Sequence, residues 1–198
     1  MNHEIFLKNL DALGIHDPDH QENLAQIDHN TKYKVLATRN GDLTFTIEHE
    51  GRSILFHSRY NPLEEARRMF AQQHDHPPQL ILIGGLGMGY MIQAASQAFP
   101  DIPIIVWENN EDIFKIAIQN RDLTEVFTHP GLKVIVEKDL TFLSEMLRLY
   151  KTKNIVVMIL RPSLMMDREF YNNLKTIVRS FIESKEVNLN TLARFQKL

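Results

Sequence analysis

The sequence predicts an α/β fold: a Rossmann-like, mostly parallel sheet with helices on both faces, preceded by a small N-terminal helix and an antiparallel β meander. Three observations predict it. From residue 79 onward, short, largely apolar runs alternate with stretches of helical spacing, as buried parallel strands joined by crossover helices do. Between residues 33 and 57, apolar and polar residues alternate at the strand period around an Asn-Gly turn. The first buried run ends in a glycine cluster, Gly84 to Gly89, where a strand hands over to a helix.

Ile5, Phe6, Leu7, Leu10 and Leu13 give residues 3–13 one apolar helical face, and Gly14 ends it. Residues 16–32 are polar and turn-rich, with a short helix anchored by Leu24 and Ile27. The meander follows: a strand over 33–38, the Asn40-Gly41 turn, an alternating strand over 43–47, a turn at His49-Glu50-Gly51-Arg52 and a strand over 53–56. A meander this small buries no core of its own, so it must pack on something else. Asn61-Pro62 opens a helix to about Gln73, with Asn as cap and Glu64 and Glu65 at the positive dipole end. Pro77-Pro78 breaks the chain. Strands then fall at 80–83, 104–107, 132–136 and 155–159, with helices at 90–98, 113–119, 141–150 and 167–185. The expected division is 1–60 for the helix and meander and 61–198 for the Rossmann-like unit.

The chain has 198 residues, 43% of them hydrophobic, and a formal net charge of -3. That suits a folded α/β domain with an appendage. No basic cluster is present, so nucleic acid is not an expected partner. No cysteine is present, which removes disulfides, thiolate metal sites and cysteine nucleophiles. No run approaches the roughly 20 apolar residues of a membrane span, and the amphipathic N-terminus is no secretory signal. The expected compartment is the cytoplasm. His74-Asp75-His76 reads as loop rather than metal site.

The glycine loop carries the sharpest chemistry. Gly84, Gly85, Gly87 and Gly89 would let the backbone turn tightly and approach a nucleotide-like ligand, beside the positive end of the next helix. Glu108, with Asn109, ends the second strand about 20 residues on, where an acid commonly holds ribose hydroxyls. Asp139 follows the third strand, at the place where such folds present an acid to adenine. The bland alternative keeps the glycines for close strand–helix packing and the two acids as helix caps. His57-Ser58 is a poor base–nucleophile pair, because neighbours on a strand point to opposite faces. Arg59 either pairs with a carboxylate at a capped helix start or contacts a ligand phosphate. Arg161-Pro162-Ser163 is a turn near the same sheet edge. Phe142, Met146 and Leu149 read as core, and Arg67-Arg68 as a solvated face.

His57-Ser58-Arg59-Tyr60-Asn61-Pro62, then Gly84-Gly85-Leu86-Gly87-Met88-Gly89-Tyr90, then Trp107-Glu108-Asn109-Asn110-Glu111 resemble the N-terminal region of the motility-associated factor (Maf) family of bacterial flagellin glycosyltransferases. Asn190-Thr191-Leu192-Ala193-Arg194-Phe195 is similar to the lead-in to that family's central domain. The resemblance covers about residues 35–198. It implies transfer of a nonulosonic acid from a CMP-sugar to flagellin, with the chemistry mainly in the central domain. This chain then corresponds either to part of a longer enzyme or to a short stand-alone homologue, and no catalytic residue carries over. The expected role is that of an accessory domain; the alternatives are an S-adenosylmethionine-dependent methyltransferase-like protein and a protein-interaction domain without ligand. The implied partners are flagellin or the remainder of a longer chain, and the candidate ligands a CMP-sugar or an S-adenosylmethionine-like nucleotide. Against an S-adenosylmethionine-dependent methyltransferase, Leu82 and Ile83 stand where an acid should precede the loop, and no Asn/Asp-Pro-Pro-Tyr motif exists.

Overall fold

The computed structural model describes residues 2–71, 77–152 and 154–195; the His74-Asp75-His76 cluster lies outside them. Helix α1 (His3–Ala12) starts on the Asn2 side chain, which accepts the Ile5 N–H. Helix α2 (Pro18–Ala25) is capped by Asp17, with Pro18 in its first turn. Strands β1 (Tyr33–Ala37), β2 (Leu43–His49) and β3 (Arg52–Leu55) form an antiparallel sheet in chain order. Glu50 and Gly51, both at positive φ, make the second turn, as a tight hairpin requires. Helix α3 (Pro62–Phe70) is capped by Asn61.

The second sheet alternates with helices: β4 (Leu80–Gly84), α4 (Tyr90–Ala98), β5 (Ile104–Glu108), α5 (Glu111–Asn120), the single turn α6 (Thr124–Phe127), β6 (Leu132–Val136), α7 (Leu143–Leu149), β7 (Ile155–Ile159), α8 (Arg161–Met166) and α9 (Arg168–Phe195). All its pairings are parallel, in the order β6-β5-β4-β7. The chain thus builds outward from β4 on one side, then returns to β4's other side. Ligand crevices of open α/β sheets open at the carboxyl ends of strands beside such a reversal. Three features were not expected. The single helical turn α6 has no counterpart among the expected helices. Arg161-Pro162-Ser163 begins a helix instead of a plain turn, because proline suits a first helical position. Helix α9 runs ten residues past the expected end at 185.

Side chains alternate between two cores. Leu80, Leu82, Ile105 and Trp107 pack against α7 and α9 through Leu143, Leu147, Tyr171, Leu174 and Val178. Ile81, Ile83, Ile104 and Val106 face the other way and share one cluster with α4 and α5. Phe6 and Leu10 of α1 and Phe45, Ile47, Ile54 and Phe56 around the meander belong to that same cluster. The meander therefore covers its apolar face on the main core, with Phe45 and Phe56 stacked at 4.2 Å. The expected helical stripe at 142–149 is only partly core. Met146 is buried, whereas Leu149 is 70% exposed and Phe142 lies tilted on Trp107 from an exposed position. Helix α7 is short, so one turn of it reaches the sheet.

Asn9 fastens α1 to the second unit. It is fully buried, its Nδ2 donates to the carbonyls of Ile118 and Arg121, and its Oδ1 accepts the Leu123 N–H at 2.8 Å. Replacing it with alanine strands three buried backbone groups, each of which costs about 1–3 kcal/mol when unpaired. Asn9→Ala is expected to lose roughly 3 kcal/mol of stability, read as a lower urea midpoint with an unchanged slope.

Candidate functional site

The glycine loop leaves β4 at its carboxyl end. Gly85, Gly87 and Gly89 have φ of 91°, 53° and 77°, where a side chain is strained. Every residue from Leu80 to Ile92 is buried. The loop's N–H groups consequently need protein acceptors, and most of them are visible. The Gly85 N–H donates to the Trp107 carbonyl at 2.8 Å, and the Gly89 N–H to that of Leu86 at 2.9 Å. The Leu86 N–H donates to Glu108 Oε2 at 2.8 Å. The Met88 N–H donates to His57 Nε2 at 2.8 Å, which puts the imidazole proton on Nδ1.

What lies against the glycines is protein. A Cβ on Gly85 would stand 2.2 Å from Ser163 Oγ and 2.7 Å from Ser163 Cβ. On Gly87 it would stand 2.4 Å from His57 Nε2, and on Gly89 2.7 Å from Leu123 Cδ2. Arg121 closes the far side. Its guanidinium lies 3.8 Å from the centre of the Tyr90 ring and donates to the Met88 carbonyl. The Tyr90 hydroxyl in turn donates to the Leu43 carbonyl, tying the loop to β2.

Glu108 is fully buried, and its carboxylate faces the loop. Oε2 takes the Leu86 N–H, and Oε1 takes the Asn110 N–H at 3.0 Å with the Tyr171 hydroxyl 3.5 Å away. Burial pushes its pKa up to about 7, against the amide hydrogen bonds, which pull the other way. Burial pushes His57 down to about 3, with the Arg121 charge adding to the effect, so the imidazole is neutral at physiological pH.

The other expected residues lie apart. Asn109 Nδ2 donates to Asp167 Oδ2 at 2.8 Å, and its Oδ1 accepts the Tyr171 hydroxyl at 3.0 Å. Asp139 is exposed and caps Thr141 through that residue's N–H and hydroxyl, which hold its pKa low. Arg59 is exposed, and its carbonyl accepts the Arg39 N–H. Ser58 Oγ accepts the Tyr60 N–H and takes no part in a pair with His57, whose Nε2 is already occupied. Arg67 contacts Gln97, and Arg68 pairs with Glu64.

An open cleft of about 1220 Å³ lies at the carboxyl end of β5. Asn109, Asn110 and Asp112 form one wall, Ser163 and Asp167 another, and the segment from Asn23 to His29 a third. None of the loop glycines is among its lining residues. Asp112 holds the third wall, accepting the Asp28 N–H and the Thr31 hydroxyl. Lys115 is buried against Glu111 and Asn23. Sequence reasoning gave no signal for Tyr171 or Arg121 here. Tyr171 sits in the apolar stripe of α9 and reads as core. The residues from Asn23 to Asp28 come near only through the tertiary fold. Among the described residues no group of three or more His, Asp or Glu side chains is placed to hold a metal ion, and no helix is long and apolar enough to cross a membrane.

No protein-family model matches the chain. A curated protein of Treponema pallidum (strain Nichols), described as uncharacterized, is 24% identical over 169 residues, which make up 84% of this chain and 56% of that protein. The solved structure of a Maf glycosyltransferase from Magnetospirillum magneticum AMB-1 superposes with a TM-score of 0.54 at 16% identity, covering 89% of this chain and 36% of that one. The chain thus has the fold of part of that protein, and it spans little more than half the length of the Treponema relative and about a third of the solved one.

Two measurements probe the packed loop. Gly85→Ala is expected to destabilise by about 2 kcal/mol or more, from left-handed strain and the collision with Ser163. A Ser163→Gly background should lessen that loss in a double-mutant cycle, since it removes the atoms struck. The second is pH. Glu108, whose ordinary value is 4.5, binds its proton more tightly when folded, so its contribution falls as pH rises from 4.5 to about 7. His57, ordinarily 6.5, binds its proton less tightly when folded, so its contribution is lost as pH falls from 6.5 to about 3. The two slopes oppose between 4.5 and 6.5. His57→Gln should expose the Glu108 slope, with thermal stability falling as pH rises through that window. Glu108→Gln should expose the opposite slope, each at most about 1.4 kcal/mol per pH unit.

Proposed function

We propose that this chain is an accessory, non-catalytic Rossmann-like domain of a Maf-type glycosyltransferase that attaches nonulosonic acid sugars to flagellin in the bacterial cytoplasm. The observation that carries the reading is the fold shared with a Maf glycosyltransferase across 89% of this chain and 36% of that longer protein. The glycine loop supports the accessory part. Its cradle is occupied by Ser163 and His57, and the Leu86 and Met88 amides are taken by Glu108 and His57. In this reading Gly84, Gly85, Gly87, Gly89 and Glu108 set the shape of the sheet's carboxyl edge. Asn109 presents that edge to the cleft. Arg59 and Asp139, both exposed, are left to polar contacts with flagellin or with the remainder of a longer chain.

A second reading, a domain that binds CMP-sugar or an S-adenosylmethionine-like nucleotide, is favoured by the cleft's position at the carboxyl edge of a parallel sheet. The methyltransferase form of it needs a free acid for the ribose, and the Glu108 carboxylate is engaged within the protein.

The purified chain, mixed with a CMP-activated nonulosonic acid and flagellin, is expected to leave the flagellin mass unchanged while retaining flagellin in a pull-down. Sugar transfer by the chain alone would sink the accessory reading, and failure to retain flagellin would assign the contacts to the remainder of a longer chain. In parallel, thermal stability is followed with CMP and with S-adenosylmethionine. A ligand present at 100 times its dissociation constant adds about 2.7 kcal/mol. Such a gain with CMP would establish donor binding here, and with S-adenosylmethionine the methyltransferase reading.

A further inference from the structure

The sheet ends abruptly at β7. That strand pairs with β4 on one side, and no described strand pairs with its other side. Two bonds fix which residues face β4. The Leu160 N–H donates to the Gly84 carbonyl at 2.8 Å, and the Asn154 carbonyl accepts the Gln79 N–H at 2.9 Å. Backbone groups alternate in direction along a strand, so the even-numbered residues of β7 face β4. Ile155, Val157 and Ile159 therefore aim both N–H and C=O outward, where they meet no backbone partner among the described residues.

This edge lacks the usual protections. Ile155-Val156-Val157-Met158-Ile159 contains no charge and no proline, and its register with β4 runs without a bulge. β4 and β5 are buried throughout, whereas all five residues of β7 are only half-buried. A groove of about 540 Å³ runs beside the edge, between β7 and α9. Val157, Val178 and Ile182 lie at its base, and Lys175, Arg179 and Glu183 flank it. An apolar centre with a polar rim is the anatomy of a protein interface.

We infer that β7 is a self-association edge: a second copy of this chain adds its own β7 antiparallel, about a twofold axis at Val157, to make an eight-stranded sheet. Such an arrangement is self-complementary and closed. Val157 pairs with its counterpart, and Ile155 with Ile159 of the other copy, all through the outward-facing groups. The axis stands perpendicular to the sheet, so the two α9 helices lie on the same face and run antiparallel. With Arg179 level with the axis, Lys175 of each copy stands opposite Glu183 of the other. These residues are spaced four apart and share one helix side. Among the described residues none of them forms an ion pair within its own chain. The two Lys175–Glu183 pairs outnumber the single Arg179–Arg179 repulsion at the axis, and this net complementarity favours a second copy over an unrelated strand.

The test is light scattering of the 198-residue chain across a concentration series. A dimer is expected. Glu183→Lys should weaken it at least tenfold, and so should Lys175→Glu. The double charge swap should restore it, which separates the interface from any folding defect in the single variants. Hydrogen exchange gives a second readout. The amides of Ile155, Val157 and Ile159 should gain protection as concentration rises, while those of Val156 and Met158 stay protected throughout. A chain that is monomeric at every concentration overturns the proposal. So does a dimer indifferent to both single variants, or one whose odd-numbered β7 amides gain no protection.

Discussion

Two buried amides at the end of β4 must find acceptors inside the protein, and much of the structure is arranged around that need. The Leu86 N–H takes the Glu108 carboxylate and the Met88 N–H takes His57 Nε2. Leaving either amide unpaired in the interior costs about 1–3 kcal/mol. Each acceptor bears its own penalty. Glu108 is a carboxylate with no solvent, held near a pKa of 7, and His57 is confined to its neutral form. A buried polar network is stable when complete and fragile when any member is removed.

The same constraint joins the two halves of the chain. His57 follows β3, so the amide it accepts ties the meander to the first βα turn. Tyr90 repeats the connection through the Leu43 backbone, and Asn9 does so for α1. Ser163, packed on Gly85, brings α8 over the loop. Tyr171 then bridges α9 to Asn109. The positions a Cβ would take on Gly85 and Gly87 lie against side chains of the protein itself. The missing Cβ atoms make room for a serine and a histidine.

The open cleft is displaced along the sheet edge toward β5 and α5. Its walls come from Asn109, Asn110 and Asp112 on one side and the chain after α2 on the other. Asp112 and Asp167 among its acids are already engaged with backbone or side-chain donors. An edge organised by internal hydrogen bonds suits a domain that positions other parts of an assembly, which agrees with the accessory reading.

The sequence by itself determined the types and order of the strands and of the longer helices, with the short α6 and α8 left out. Buried parallel strands read as unbroken apolar runs, and the Asn40-Gly41 turn and the Asn61-Pro62 helix start are local chemistry that tertiary packing left in place. It also determined that Gly84 to Gly89 is the special segment, since four glycines in six residues imply left-handed backbone or close approach. Only the tertiary structure decided what approaches. Glu108 and Asn109 are adjacent in sequence and sit at one strand end, yet one points into the loop and the other to the cleft. His57 reads locally only as a poor partner for Ser58, and it becomes a buried acceptor because a residue 31 positions away presents a bare amide. The edge of β7 follows from strand order, which a periodic sequence does not encode. Local pattern fixes what each segment becomes; which groups it must satisfy depends on neighbours that only the folded chain supplies.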